Sequence, residues 1–188
     1  MKTLLLFLLL FPISVFAQTN FGVATGTILR SSTAQTYTNN VTTDQALITS
    51  TVKANTMTVD RPYVFTCDLS MNTAILTLPN VSFNVKLGAK SLTFITNAVP
   101  AISLSNTAMT VTGYIVLRAN GDVLVKFSSS PTGTGVNPLG LTTANTTQFA
   151  VWTGVNTGID NTFSVNVNFN STLGTISVVR QYYSRSEF

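Results

Sequence analysis

The stretch Thr162–Phe169, TFSVNVNF, decides the fold class of this chain. Every second residue in it is apolar, and the residues between are serine or asparagine. Successive side chains of a β-strand point to opposite faces, so the stretch predicts a strand with one face in a core and the other toward water. Val81–Leu87 and Asp122–Ser128 show the same alternation. The chain is therefore built from half-buried strands.

Segments of this kind recur along the chain between turn-forming residues. Asn120-Gly121 separates two of them, and because both residues tolerate a positive φ, the pair predicts a type I′ hairpin. No segment shows a sustained helical period with capping residues. About ten short strands predict an all-β fold, a two-layer antiparallel β-sandwich of jelly-roll type, with a closed barrel as the alternative. The predicted strands are Gln45–Val52, Tyr63–Ser70, Ala74–Leu78, Val81–Leu87, Ser91–Thr96, Met109–Arg118, Asp122–Ser128, Thr147–Thr153, Thr162–Asn168 and Thr175–Tyr182.

The first seventeen residues have the pattern of a signal peptide. Lys2 precedes the apolar run Leu4–Phe11, and Ala17 is the small residue expected before a cleavage site at Gln18. A membrane anchor is the alternative, but a span needs about 20 apolar residues and this stretch is shorter. We expect a signal peptide at 1–17, an arm or edge segment at 18–38 and the sandwich domain at 39–188. The mature chain would have no membrane span and be secreted, extracellular or on a virion or cell surface.

Charge and cysteine content narrow the partners. The chain has ten basic and six acidic residues, and the basic ones are scattered singly, so no basic stripe predicts nucleic-acid binding. Cys67 is the only cysteine, so no disulfide framework is possible within the chain. Its alternating surroundings predict a small buried hydrophobe, and an intermolecular disulfide is the alternative.

Catalytic groups are scarce. The chain contains no histidine, which excludes Ser-His-Asp and Cys-His catalysis and imidazole-ligated zinc. Its five aspartates lie mostly at predicted turns, and a glycosidase would need two facing carboxylates, such as a chance pair of Asp60 with Asp122. No phosphate loop, dinucleotide fingerprint or calcium loop is present. We expect no enzyme activity, no cofactor and no metal.

Aromatic residues and sequons are the candidate contact sites. Trp152, Tyr182 and Tyr183 are the candidates for contact with a ligand or a second subunit, because a strand places adjacent rings on opposite faces. Phe149, Tyr37 and Tyr114 are further members of a conceivable carbohydrate platform, although a lone tryptophan more often fills a core. Four Asn-X-Ser/Thr sequons at predicted turns or strand ends could carry glycans. They begin at Asn40, Asn80, Asn145 and Asn170.

Several segments together resemble a β-sandwich module of phage and large-virus structural proteins, including head and tail fibres. The matching stretches are Thr43–Met57, Val81–Gly88, Gly113–Gly121 and Asn161–Asn168, and the resemblance spans Thr38–Tyr183. That module is similar to the jelly rolls of trimeric TNF-like and fibre-head proteins. The resemblance implies a non-catalytic subunit that assembles as a trimer, and it carries no catalytic residues.

The signal peptide departs from that family, because phage virion proteins assemble in the cytoplasm. It favours a virion surface protein matured through a host secretory pathway, or a cellular exported protein. The leading hypothesis is thus an exported structural or adhesive subunit that binds copies of itself, with a cell-surface glycan or receptor as a further partner. The alternative is a secreted, monomeric carbohydrate-binding module.

Overall fold

The computed structural model describes residues 29–74, 81–95, 104–131, 146–170, 172 and 175–187. These residues form eleven strands and no helix, so none of them belongs to a helix that could cross a membrane. The predicted signal peptide and most of the 18–38 segment lie outside the described residues. The strands are β1 Leu29–Ser31, β2 Gln35–Thr38, β3 Gln45–Val52, β4 Pro62–Ala74, β5 Val81–Leu87, β6 Lys90–Ile95, β7 Leu104–Leu117, β8 Val123–Pro131, β9 Thr146–Trp152, β10 Asn161–Phe169 and β11 Thr175–Glu187.

The strands form two antiparallel sheets. The large sheet has seven strands in the order β1-β11-β4-β7-β8-β9, with β2 also paired to β11. The small sheet has four strands in the order β3-β10-β5-β6. The all-β sandwich predicted from the alternation is therefore confirmed.

Nested pairing gives the sandwich its jelly-roll topology. When β1, β8 and β9 are left out, the pairs are β2 with β11, β3 with β10, β4 with β7 and β5 with β6, each pair nested inside the one before it. This is the pairing of one long antiparallel ribbon folded over on itself, which places alternate pairs in opposite sheets. The hairpin β8–β9 is inserted between β7 and β10, and it extends the large sheet to an edge at β9.

The core lies between the inward faces of the two sheets. Phe65 on β4 packs against Phe127 on β8 and Phe163 on β10, with ring centroids 6.2 and 5.5 Å apart. Gly113 on β7 pairs with Phe65 and Phe127, and a Cβ there would lie 2.3 Å from the Lys126 carbonyl oxygen and 2.6 Å from Phe65 Cζ. The missing side chain is what lets the Phe65 ring cross to the small sheet. Cys67 is fully buried in this core as a free thiol, as its alternation predicts.

Three local expectations need correction. The hairpin at Asn120-Gly121 exists, but its turn is not type I′, because only Gly121 has a positive φ, of 84°. The Gly121 N–H donates to the Arg118 carbonyl at 2.9 Å, and the Arg118 N–H donates to Asp122 O at 2.8 Å. That is a three-residue loop with glycine in the left-handed position. The separate strand at Ala74–Leu78 was wrong at its start, since Ala74 ends β4, and its remaining residues lie outside the described ones.

The third correction concerns Tyr37, which was expected in a surface aromatic platform. Two strands before residue 39 were missed, β1 and β2, and both pair with β11. Tyr37 on β2 is a core residue and not a surface ring, and its hydroxyl donates to the Ala46 carbonyl at 2.8 Å. Strands of three and four residues are too short to show a clear alternation, so the sequence pattern does not reveal them.

Candidate functional surfaces

The outer face of the large sheet carries two parallel rows of apolar and aromatic side chains across four strands. The first row, in order across β4, β7, β8 and β9, is Val64, Tyr114, Lys126 and Phe149. The second row is Pro62, Val116, Leu124 and Val151. We call these eight residues the apolar patch. Phe149 is 62% exposed and Val151 49% exposed, and the other six are half-buried.

Lys126 is the one charged residue of the apolar patch. Its Nζ lies 6.0 Å from the ring centroid of Tyr114 and 5.8 Å from that of Phe149. The face of an aromatic ring carries partial negative charge, so both rings attract the ammonium group. The lysine side chain therefore lies along the patch with its ammonium group near both rings, and its aliphatic carbons add to the apolar surface.

The patch ends at an edge strand that lacks the usual protection against pairing. Within the described residues, β9 pairs with β8 alone, and that pairing runs without a bulge. Its sequence, TTQFAVW, has no charged residue and no proline. Exposed edges are normally protected by lysine, proline, a bulge or short length, because an unpaired edge is a template for another strand. Among the described residues, β9 thus combines an edge without a second strand partner and exposed apolar side chains.

The other half of the same face is lined by hydroxyls. Thr66, Thr112, Ser128 and Thr147 form the next row, and Thr110 lies one row further on. The Thr110 hydroxyl donates to Asp68 Oδ1 at 2.8 Å, and the Thr66 and Thr112 hydroxyl oxygens are 3.3 Å apart. Across β7, β8 and β9, the large apolar side chains of this face are therefore concentrated nearer the β7–β8 turn.

The outer face of the small sheet is polar throughout its two central strands. Its first row across β6, β5, β10 and β3 is Ser91, Lys86, Ser164 and Thr49, and its second is Thr93, Asn84, Asn166 and Ala46. Ser82 and Asn168 lie in the third row. Asn84 is only 4% exposed and Asn166 5%, although both point away from the core, whereas Thr49, Ser91 and Thr93 on the outer strands are exposed. The face is therefore a shallow polar trough, with amides on its floor and hydroxyls on its rims.

One carboxylate organises the floor of the polar trough. Asp44 Oδ1 accepts hydrogen bonds from Asn84 Nδ2 at 2.9 Å and from Asn168 Nδ2 at 3.0 Å, and its other oxygen pairs with Lys86. Burial alone would raise the pKa of Asp44, but hydrogen bonds from Lys86, Asn168 and Asn84 and the charge of Lys86 outweigh it and lower the pKa below its ordinary value. Asp44 is therefore a structural anion with fixed partners.

The network continues from Asp44 to Asn166. Asn166 Nδ2 donates to Asn84 Oδ1 at 2.8 Å and to Ser164 Oγ at 2.9 Å. Both N–H groups of the Asn166 side-chain amide are thereby used, which fixes the direction of the side-chain oxygen Oδ1. Within the described part of the chain, Asn166 Oδ1 accepts no hydrogen bond, and it is not among the buried unsatisfied atoms. It is an oriented acceptor without a protein partner among the described residues.

The end of the sandwich formed by the β5–β6, β7–β8 and β9–β10 turns offers a smaller feature. An open cleft of about 180 Å³ lies between the β5–β6 turn and the loop 153–160, and Leu87, Val155 and Ile159 contribute to its lining. Pockets for drug-sized ligands are usually about 300–1,000 Å³. The Asn161 amide donates to the carbonyls of Asn156 and Ile159 at 2.8 and 3.0 Å, so it holds the loop in place. The cleft is a gap beside a braced loop.

The acidic residues mostly have structural partners. Asp160 accepts from Lys53 Nζ at 2.8 Å and from the Ala54 N–H at 2.9 Å, and these contacts lower its pKa. Asp122 accepts from Asn120 Nδ2 at 2.8 Å, and Asp60 lies at a turn with a φ of 62°. No group of three or more metal-ligating side chains occurs among the described residues. The turn-forming role expected for these aspartates agrees with their positions.

The predicted contact residues and sequons lie in different parts of the fold. Trp152 faces the core at 6% exposure, and Tyr182 is half-buried on the outer face of the large sheet, in register with Asp68. Tyr183 pairs with Cys67 through its backbone, and its side chain lies outside the described part. Contact of these three with a ligand or subunit stays a prediction. Asn40 and Asn170 are exposed, in a turn and a bend, whereas Asn80 and Asn145 lie outside the described residues.

Sequence reasoning missed the polar trough and the role of Lys126. The outward Ser and Asn positions of TFSVNVNF predict a solvated face, and nothing in the local pattern shows that Asn84 lies beside Asn166.

Burial raises the pKa of the Cys67 thiol to about 12, with Arg180 lowering it and Asp68 adding to the rise, so this cysteine is protonated at neutral pH. Its burial argues against an intermolecular disulfide.

Comparison with known proteins gives structures but no family. No protein-family model matches the chain, and no curated protein matches it. Similar solved structures include the CBM2 module of an evolved Dit from Lactobacillus casei BL23 phage J-1, with 8% identity, a TM-score of 0.41, and coverage of 73% of this chain and 67% of that one. Arcelin-5, a lectin-like defence protein from Phaseolus vulgaris, is 10% identical, with a TM-score of 0.45 and coverage of 88% and 99%.

A third similar structure is that of infectious bursal disease virus, Gx strain, with 11% identity and a TM-score of 0.27. It covers 87% of this chain and 41% of that one. A phage module and a virus are thus among the structural neighbours, as the resemblance predicts, and all three are of β-sandwich or jelly-roll type. With identities near 10% and TM-scores below 0.5, they carry no argument about the function of this chain.

Proposed function

We propose that this chain is an exported, non-catalytic structural or adhesive subunit of a virion or cell surface, and that it binds copies of itself as a homotrimer. The observation that carries the proposal is the apolar patch beside β9, which pairs on one side only among the described residues. Monomeric proteins rarely expose large contiguous apolar surface, and such patches commonly mark protein interfaces. Export and trimeric assembly come from the signal-peptide pattern and the fibre-head resemblance.

The charge distribution favours association through this surface. Lys126 is the single charge in the patch, and the rings of Tyr114 and Phe149 already attract it. Charged residues make up 9% of the whole chain, so two copies approaching with these faces meet little electrostatic repulsion. Aromatic residues are also the side chains most often enriched in the buried centre of protein interfaces.

A secreted, monomeric carbohydrate-binding module is the second candidate. The observation that favours it is the pair of rings around Lys126, because exposed rings can stack on the apolar face of a sugar. This function would not require the edge strand β9. The two candidates therefore differ in oligomeric state and in what the apolar patch contacts.

Size-exclusion chromatography with light scattering on the chain from Gln18 onward tests the leading proposal. We expect a particle of three times the chain mass at micromolar concentration. Phe149→Ser should weaken assembly at least about tenfold, because it removes the most exposed ring from the interface. Ile159→Ser is the matched control, since Ile159 is 53% exposed in the loop 153–160, outside the apolar patch, and its replacement should leave assembly unchanged. A strict monomer at high micromolar concentration would contradict self-assembly.

A further inference from the structure

The polar trough has features that a merely solvated sheet face does not need. Solvated faces of antiparallel sheets ordinarily carry independent polar side chains in contact with water. Here Asn84 and Asn166 are nine-tenths buried or more, and hydrogen bonds from one strand to the next fix them. Side chains that are already ordered lose little conformational entropy when a ligand binds. The floor is therefore preorganised for hydrogen bonding.

The groups left open in the trough are hydrogen-bonding groups without net charge. Asn166 Oδ1 is an oriented acceptor on the floor. The hydroxyls of Thr49, Ser91 and Thr93 on the rims are exposed, and none of them has a side-chain hydrogen bond within the described residues. Asp44 and Lys86 pair with each other, so their charges cancel at one side. Four strands make the trough about 14 Å wide, from a spacing of about 4.8 Å.

This chemistry selects one class of ligand. A ligand that matches an array of neutral donors and acceptors must itself carry many hydroxyl groups at short spacing, since each amide or hydroxyl left unpaired on binding weakens the complex. An acidic ligand would meet no unpaired cation in the two rows that hold Asn84 and Lys86, because Asp44 already pairs with Lys86. An apolar peptide would leave the amides without partners. A neutral oligosaccharide meets all three conditions.

We propose that the outer face of the small sheet is a binding site for a neutral oligosaccharide, with Asn166 on its floor and Thr49 and Thr93 on opposite rims. The site lies on the opposite side of the sandwich from the apolar patch, so a subunit could assemble through one face and bind a glycan through the other. The inference does not depend on the proposed self-assembly.

The test is isothermal titration calorimetry of the purified protein with three probes: cellohexaose, mannohexaose and hexagalacturonic acid. We expect binding of at least one neutral hexasaccharide and weaker or no binding of the acidic one. The double variant Thr49→Ala, Thr93→Ala should lower the affinity about tenfold, because two rim hydrogen bonds are lost. Neither hydroxyl takes part in the Asp44 network, so the fold should stay intact, as circular dichroism and the melting temperature would check.

Phe149→Ser is the control on the opposite face, and it should bind the neutral sugar like the unmodified protein. Sugar binding that disappears in Phe149→Ser would place the site on the aromatic rings and overturn the proposal. Binding of the acidic probe alone, binding of no neutral probe, or unchanged affinity in a folded double variant would each overturn it as well. Chromatography of the same samples reports assembly separately, so failure of one proposal is distinguishable from failure of the other.

Discussion

The outer faces of the two sheets satisfy their side chains in opposite ways. On the small sheet, the outward amides of β5 and β10 hydrogen-bond to one another and to Asp44, so the centre of that face is held together within one molecule. On the large sheet, Phe149 and Val151 project from an edge strand that pairs on one side only, among the described residues. Exposed apolar surface is stabilised when other apolar surface covers it, whereas amides can hydrogen-bond to each other. The first face should therefore stabilise the fold, and the second should stabilise an assembly.

The largest effect should come from the core that both faces share. Gly113→Ala would place a Cβ 2.3 Å from the Lys126 carbonyl oxygen and 2.6 Å from Phe65 Cζ, so strand or ring must move. We expect a loss of about 3 kcal/mol or more in the free energy of unfolding by urea, or failure to fold. Gly121→Ala is the matched control: nothing lies within 4 Å, and only its φ of 84° is unfavourable, at about 1 kcal/mol. Equal losses for the two variants would contradict the close approach at Gly113.

The next effect separates the two faces directly. Asp44→Ala removes the acceptor for Asn84 and Asn168 and the partner of Lys86, so the free energy of unfolding should fall by about 2 kcal/mol. Phe149→Ser should change it by about 0.5 kcal/mol or less, because a largely exposed side chain contributes little to folding of one copy. Urea titrations, at protein concentrations too low for assembly, measure the free energy of unfolding of both variants. Similar losses would show that the faces are not divided between folding and assembly.

Acid should weaken the small face in particular. The pKa of Asp44 in the folded chain lies below its ordinary value of 3.8, so its stabilising contribution is present above that pH and is lost as the pH falls through the lower, folded-state pKa. We expect Asp44→Asn to lose less stability than the unmodified protein between pH 5 and pH 2.5. Asp160 titrates in the same direction in both proteins, so the difference between them isolates Asp44. Parallel pH curves would contradict this.

The smallest effect concerns Lys126. Lys126→Gln removes the ammonium near the rings of Tyr114 and Phe149 and should lower the free energy of unfolding by about 0.5 kcal/mol. Arg118→Gln is the control, since it removes an exposed charge in the neighbouring turn. Thermal melts of both variants in low and high salt measure the difference. A loss in Arg118→Gln equal to or larger than that in Lys126→Gln would mean that the ring contacts do not set the effect.

Much of the fold was predictable from local pattern. The predicted bounds Val81–Leu87 and Gln45–Val52 match β5 and β3 residue for residue, although a bulge at Leu47 interrupts the alternation in β3. The short strands β1 and β2 were not predictable, since their pairing with β11 depends on residues about 150 positions away. The turn at Asn120-Gly121 was predicted in place but not in type, because one additional residue in the loop changes which position needs a positive φ.

Less of the two candidate surfaces could be predicted from the sequence than of the fold. The inward position of Trp152 and the outward positions of Phe149 and Val151 follow from parity along one strand. That Lys126 lies between two rings, or that Asn84 contacts Asn166, depends on the register between strands, which turn lengths and distant pairing set together.

The sequence by itself determined most of the residues that face the core, because burial on one face imposes an alternation that is interrupted only at a few bulges among the described residues. It also determined the chemistry that is excluded, because a chain without histidine cannot use an imidazole. Only the tertiary structure decided which outward residues become neighbours. Parity assigns a side chain to a face, but the nested pairing of the jelly roll joins strands as far apart as β2 and β11, and that pairing turned ordinary serines, threonines and asparagines into a polar trough on one side and left an apolar patch on the other.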